Sequence, residues 1–145
     1  MINYLSWDSL FFGVSIYELK NEDVIKVHLD TEVNNLGSGD LIQCKINIEN
    51  LKSIEKLTKY GFSIEDSGVT YEMTVDNKIL KRSDFRVELA VEKDRKVIQE
   101  IAQDAFSGTR FKDTYFGVNS ANKIYKHWAS AAIKGVHDDC CLIKK

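Results

Sequence analysis

Proline is absent from this sequence of 145 residues, although average usage of about 5% would supply roughly seven. The eight glycines therefore carry most of the punctuation of the chain, and most of them are predicted to lie in turns or at helix ends. No internal repeat or low-complexity segment is present in the sequence.

The sequence also lacks a strong charge of one sign and a long apolar run. Its 20 Lys and Arg residues and 22 Asp and Glu residues leave a formal net charge of −2, which argues against a nucleic-acid grip built on positive charge. The longest apolar run, residues 10–14, is far shorter than the roughly 20 residues of a membrane helix. No signal peptide is predicted, and we expect the chain to stay in the cytoplasm.

Cysteine is sparse and odd in number. The three cysteines include the adjacent pair Cys140 and Cys141, a pattern that fits reduced thiols in a cytosolic protein. The run from His137 to Cys141 offers imidazole, carboxylate and thiolate groups. Adjacent strand residues point to opposite faces, so both thiols cannot reach one ion. No metal site is predicted.

What is present is ordinary globular composition, 43% hydrophobic and 29% charged, enough for about one domain. The periodicity predicts an α/β fold with a small N-terminal α/β lobe over residues 1–80. In that lobe Asn50 is predicted to cap a helix that ends at Gly61. The predicted elements are a strand at 14–19, a helix at 23–36, a strand at 41–46, a helix at 51–60 and a hairpin at 62–75.

A second lobe is predicted over residues 84–145. It contains a strand at 85–91, a helix at 97–105, a helix from Asn119 to Gly135 and a last strand at 140–143, predicted to be buried on both faces. The polar segment 76–83 is predicted to be a solvated linker, with a phosphate site at its basic residues as the less favoured alternative. That basic cluster consists of Lys78, Lys81 and Arg82.

Most signatures of known chemistry are missing from the chain. The one G-x-G sequence, residues 37–39, follows a predicted helix and precedes a strand, the reverse of the order in a phosphate-binding loop. There is no G-x-S-x-G elbow and no H-E-x-x-H motif. His28 and His127 each lie on a predicted helix without an evident nucleophile.

The best candidate site is the aromatic segment at residues 106–116, which joins the two helices of the second lobe. It combines an arginine, hydroxyls and aromatic rings, and loops on a rigid scaffold often bind ligands. Arg110 can hold a phosphate or carboxylate in a bidentate manner. The alternative, that the aromatic rings only pack a long loop onto the core, has about equal support. The predicted substrate-binding residues are Phe106, Arg110, Phe111 and Tyr115.

Several motifs together resemble one family. The opening run Leu-Ser-Trp-Asp-Ser-Leu-Phe-Phe-Gly at residues 5–13 looks like the start of sugar-nucleotide amine N-acetyltransferases of the GNAT superfamily. Later motifs follow in the order of that family, up to the C-terminus. These are Ala105-Phe106 with Arg110-Phe111, then Tyr125-x-x-Trp128, then Gly135-x-x-Asp138-x-x-Cys141-Leu142-Ile143.

The resemblance implies an N-terminal lobe followed by the first strand, two helices and next strand of a GNAT domain. Such enzymes transfer acetyl from acetyl-CoA to the amine of a dTDP-amino sugar such as dTDP-4-amino-4,6-dideoxygalactose. They hold the pyrophosphate of the cofactor on an R/Q-x-x-G-x-G/A loop at a helix N-terminus. A tyrosine near the C-terminus commonly acts as the general acid.

This chain departs from the family after its second helix. It has no R/Q-x-x-G-x-G/A sequence, and no tyrosine follows Tyr125. We therefore expect a truncated and inactive acetyltransferase with no catalytic residue to assign, to which acetyl-CoA does not bind. The alternative is a non-catalytic binding or interaction module. We also expect a homo-oligomer formed through the C-terminal part, because Ile124, Trp128 and Ala132 lack much of their expected cover.

Overall fold

The computed structural model describes residues 2–72, 74, 87–106, 108–136 and 138–144, which form a mixed α/β fold, as the sequence predicts. The elements, in chain order, are β1 (Ile2–Tyr4), α1 (Ser6–Phe12), β2 (Ile16–Leu19), α2 (Leu29–Asn34), β3 (Leu41–Gln43), α3 (Leu51–Lys59), β4 (Glu88–Leu89), α4 (Arg95–Ala105), α5 (Asp113–Phe116), α6 (Ser120–Ile133) and β5 (Leu142–Ile143). Short 3-10 helices at Asn21–Asp23 and Glu92–Asp94 precede α2 and α4.

The chain divides into two compact units. The first unit contains Met1–Glu65 and Lys112–Val118, and the second contains Asp66–Phe111 and Asn119–Lys145. The lobe boundary that the sequence predicts between residues 80 and 84, and the basic cluster beside it, lie outside the described residues. That boundary stays a prediction.

The first unit is built on a three-stranded sheet in the order β1-β2-β3. Strand β2 pairs antiparallel with β1 and parallel with β3. Ile42, Cys44 and Ile46 pack against the core, which confirms the face that their alternation predicts. The fully buried core residues on this side of the unit are Leu19, Val24 and Leu29, with Leu57 of α3 beside them.

Helix α3 begins and ends as the sequence predicts. The side chain of Asn50 accepts a hydrogen bond from the backbone N–H of Ser53 at 3.4 Å, as a helix cap does. Gly61, just past the helix, has a φ of +85°, a conformation that few other residues adopt without strain. Elsewhere in this unit, the rings of Phe12 and Phe116 lie 4.7 Å apart and join α1 to α5.

In the second unit, α4 and α6 pack against each other, and β4 pairs antiparallel with β5. Between the helices, the Gln99 side-chain amide donates to the Ser130 hydroxyl at 2.7 Å. Helix α6 ends where Gly135 takes a φ of +64°, while the N–H of Val136 bonds back to the carbonyl of Ala131 at 3.0 Å. This is the glycine-terminated helix end that the sequence predicts.

Two predicted elements of the first lobe are wrong. Residues 62–72 form no strand, so the hairpin is absent over the described residues, and Met73 and Val75 lie outside them. Tyr71 is strongly exposed. Alternation of apolar and polar residues produces a strand only where a partner strand buries one face. The helix predicted at 23–36 begins only at Leu29. The ammonium of Lys56 donates hydrogen bonds to the carbonyl of Val27, at 2.8 Å, and to that of Ile25. A continuous helix would use these carbonyls for its own backbone hydrogen bonds.

Two further predictions fail in the second unit. The last strand, β5, pairs with β4. It is not buried on both faces, because Leu142 is 60% exposed. Ile124 does not lack cover, since α6 packs against α4 and leaves this side chain fully buried. Asn119 precedes α6 but, with a φ of +59°, forms no side-chain cap within the described residues.

Candidate functional site

The segment that follows α4 leaves the helix at Phe106 and runs towards α5. Phe106 has a φ of −115° and a ψ of +43°, outside helical geometry, so the chain turns away from the helix axis there. Of the four predicted site residues, the structure places Phe106, Arg110 and Phe111 in the second unit and Tyr115 in the first. Ser107, which lies in the same segment, is outside the described residues.

Four aromatic rings form a cluster in the second unit. The ring of Phe106 stacks on Tyr125, with centroids 4.3 Å apart and planes inclined by 14°. Phe111 meets Tyr125 and Trp128 edge to face, at 6.1 and 5.6 Å. Tyr125 and Trp128 are three residues apart on α6 and lie on one face of that helix, with their rings 5.5 Å apart.

Hydrogen bonds fix the segment to α6. The hydroxyls of Thr109 and Tyr125 lie 2.7 Å apart and share a hydrogen bond. The hydroxyl of Ser120 donates to the carbonyl of Phe111 at 2.7 Å. Phe111 is buried, whereas Phe106 is 49% exposed. The cluster therefore has a buried anchor and an exposed ring.

Arg110 lies next to this anchor. Its guanidinium carbon is 4.8 Å from the centre of the Phe111 ring, a cation–π distance. The side chain belongs to an exposed residue. Among the residues that the structure describes, no carboxylate forms an ion pair with it. The guanidinium is thus held in place by a ring and keeps its donors for a ligand.

Tyr115 has a different environment from the other three residues. Its hydroxyl lies 3.4 Å from Glu65, and Glu65 also accepts an ion-pair hydrogen bond from Lys112 at 2.5 Å. This hydrogen bond lowers the pKa of Glu65, with a further contribution from the Ser63 hydroxyl. It also raises the pKa of Lys112. Tyr115 is part of a surface polar cluster in the first unit, and its place in a substrate site stays a prediction.

Thr109 lies within the predicted segment, whereas sequence reasoning missed Tyr125 and Trp128 as members of the site. Tyr125 and Trp128 were available as a family motif, and their spacing of three residues on a predicted helix is the signal that places both rings on one face. It also missed a shallow cleft of about 530 Å³ in the first unit. The cleft is lined by Tyr4, Ser6, Ser9, Leu10, Gly13, Val14 and Ser15.

The start of helix α4 does not fit the pyrophosphate of acetyl-CoA. Helix α4 follows strand β4, the order that a phosphate-binding helix requires. Its start, however, carries Glu92 and Asp94, and Asp94 accepts the N–H of Val91 at 3.0 Å. These carboxylates place negative charge where an anion would bind.

Among the described residues, no group of three or more His, Cys, Asp or Glu side chains is arranged to hold a metal ion, and His137 lies outside the described part. No described helix is long and apolar enough to cross a membrane.

Comparison with known proteins shows a relative that matches nearly the whole chain. No protein-family model matches the chain. Over 98% of its length, the chain is 26% identical to the dTDP-fucosamine acetyltransferase of Escherichia coli O6:H1, strain CFT073. It spans 60% of the length of that relative. The comparison confirms the resemblance that the motifs indicate, and the chain is similar, over nearly its whole length, to part of a sugar acetyltransferase.

Proposed function

We propose that this chain is the N-terminal portion of a GNAT-type N-acetyltransferase that moves acetyl from acetyl-CoA to the amine of a dTDP-amino sugar. The observation that carries this proposal is the match to a dTDP-fucosamine acetyltransferase along 98% of the chain. The motif residues support it, because Phe111, Tyr125 and Trp128 contact one another and Phe106 stacks on Tyr125, so that the four rings form a single cluster.

The contribution of this chain is one wall of the site for the amino sugar. Phe106, Arg110 and Phe111 form that wall, and the guanidinium of Arg110 is the group that meets the anionic part of the substrate. The segment is tied to α6 by the Thr109–Tyr125 and Ser120–Phe111 hydrogen bonds, so little ordering is needed when a substrate arrives.

The donor site is not part of this proposal for the described residues, since the start of α4 carries carboxylates. The relative has about two-fifths of its length outside the match. We place the acetyl-CoA site and the general acid of the enzyme in a region of that kind. Without it, the donor thioester is not held in line with the amine, and that alignment can account for roughly 7–11 kcal/mol of the barrier in well-oriented reactions.

We further propose that the second unit pairs with a second copy of the chain. Leu89 of β4, Leu142 of β5 and Ile101 of α4 are all more than half exposed. Among the described residues, β4 and β5 pair with no further strand, and exposed apolar side chains beside an unpaired edge favour association. The compartment proposed for this protein is the reducing cytoplasm, which suits its three free cysteines, Cys44, Cys140 and Cys141.

Calorimetric titration of the 145-residue chain tests the proposal. We expect heat of binding with dTDP-4-amino-4,6-dideoxygalactose, weaker binding by Arg110→Gln, and no heat with acetyl-CoA. Lys123→Gln, at an exposed position on α6, is the matched control. Micromolar binding of acetyl-CoA would contradict the absence of a donor site. Failure of the sugar nucleotide to bind would instead favour a non-catalytic interaction module.

A further inference from the structure

The exposed ring of the aromatic cluster is built as a stacking platform. One face of Phe106 lies against Tyr125 at 4.3 Å, and the ring is nevertheless 49% exposed. Within the described residues, no other ring contacts Phe106. Planar groups such as nucleobases stack on exposed aromatic side chains whatever the base.

The platform is rigid because Tyr125, which supports it, is fixed on two sides. Its hydroxyl shares a hydrogen bond with Thr109 at 2.7 Å. Its ring is packed edge to face by Trp128 at 5.5 Å and by Phe111 at 6.1 Å. A ring backed in this way loses little freedom when a second planar group stacks on Phe106.

A cation lies on the same cluster. The guanidinium of Arg110 is 4.8 Å from the ring of Phe111, and Phe111 in turn contacts Tyr125. Phe106 and Arg110 are therefore connected through two rings of one packed group, four residues apart in the chain. An exposed aromatic ring and a guanidinium in one packed cluster match a molecule that carries both a planar ring and a phosphate.

We propose that this cluster binds the nucleoside diphosphate part of the substrate, with the base stacked on Phe106 and a phosphate on Arg110. The inference rests on the proposed function and assigns separate tasks to two of its residues. Tyr125 is a positioning residue that holds the platform, and the ring of Phe111 holds the cation. Tyr115, in the first unit, has no part in nucleotide binding.

The test compares dTDP with inorganic pyrophosphate by calorimetry at low salt. Because only dTDP carries a base, the wild-type chain should bind it at least about fivefold more tightly than pyrophosphate. Phe106→Leu keeps apolar bulk but removes the stacking face, and it should abolish that preference. Arg110→Gln should weaken both ligands in proportion. Tyr71→Leu, at an exposed aromatic residue of the same unit, and Lys123→Gln are the controls and should bind as wild type does.

Thermal melts of each variant establish that it is folded. A dTDP preference that survives in Phe106→Leu would overturn this inference, and so would a wild-type chain without the preference. In either case, binding of the dTDP-amino sugar would leave the proposed function standing. A wild-type chain that binds neither dTDP nor the dTDP-amino sugar would overturn both.

Discussion

The first unit buries its apolar side chains more completely than the second does. Ile16, Leu19, Val24 and Leu29 of the first unit are at most 1% exposed. Among the described residues of the second unit, Ile124 is the one apolar side chain buried to this degree.

The difference has a structural cause. Strand β2 has a neighbour on each side, so the first unit has a central strand on which helices and loops pack. The described part of the second unit has two strands of two residues each, and α4 presents apolar residues that neither strand covers. A helix pair with a two-stranded sheet therefore buries apolar residues less completely than a small three-stranded sheet with its packed helices does.

The largest expected effect is the loss of a core leucine from the first unit. Leu19→Ala removes a fully buried side chain and should lower the free energy of unfolding by about 2–5 kcal/mol. The matched change in the second unit, Leu89→Ala, removes a side chain that is 63% exposed, and it should cost less than about 0.5 kcal/mol. Urea unfolding measures both values.

The comparison between these leucines also reports on self-association. If Leu89→Ala proves as costly as Leu19→Ala, Leu89 is covered in solution. The cost of Leu89→Ala would then grow with protein concentration, because a second copy provides the cover. Light scattering that shows only monomer at high concentration would contradict the proposed pairing.

A smaller effect is expected from two serines that serve the two units in a similar way. In the first unit, the buried hydroxyl of Ser9 accepts the backbone N–H of Ile16 at 2.9 Å. Ser9→Ala leaves that N–H without its partner and should cost about 1–3 kcal/mol. In the second unit, Ser130→Ala removes the partner of Gln99, which water can replace more easily, and should cost about 0.5–1.5 kcal/mol. Equal costs in urea unfolding would weaken the contrast between the units.

The thiols of the two units should also differ in reactivity. Burial, aided by the charge of Glu18, raises the pKa of Cys44 in the first unit to about 11. Cys140 in the second unit is exposed. Because the thiolate is the reactive form, iodoacetamide at about pH 8 should modify Cys140 more than about tenfold faster than Cys44. Peptide mass spectrometry over time gives both rates, and comparable rates would mean that the first unit opens readily.

The smallest expected effect is the pH dependence of the ion pair between Glu65 and Lys112. The pKa of Glu65 is lowered in the folded state, so its contribution to stability is present above about pH 4.5 and is lost as the pH falls through the folded value. The pKa of Lys112 is raised, so its contribution is present below about pH 10.5 and is lost above the folded value. Glu65→Gln should remove both slopes from a plot of stability against pH. Identical plots for variant and wild type would show that the pair does not contribute.

Helices were more predictable from this sequence than strands, because their start and stop signals are local. Asn50 with Gly61, and Gly135 after α6, act within a few residues and therefore appear in the sequence itself. The hairpin predicted at 62–75 is absent over residues 62–72, and α2 is shorter than predicted. Whether such elements form depends on partners that are distant in the sequence. No local pattern in the sequence reveals that the Lys56 ammonium donates a hydrogen bond to the carbonyl of Val27.

The candidate site was predictable to a similar extent. The segment containing Phe106, Arg110 and Phe111 was found by composition, since these residues are neighbours in the chain. Thr109 and Tyr125 are joined by a hydrogen bond across 16 residues, and only the folded chain brings them together. Composition also could not show that Tyr115 belongs to another unit, because the chain changes units between residues 111 and 112.

That change of unit has a consequence for the order in which the protein is made. Glu65 leaves the ribosome 47 residues before its ion-pair partner Lys112. Phe12 likewise leaves the ribosome well before Phe116, on which it packs. At about 5–20 residues per second, the delay between Glu65 and Lys112 is roughly two to ten seconds. During that time, α4 also emerges without α6. The first unit is complete only when Lys112–Val118 has been synthesised, and the second only when α6 and β5 have followed, so the two units become complete close together although one begins well before the other.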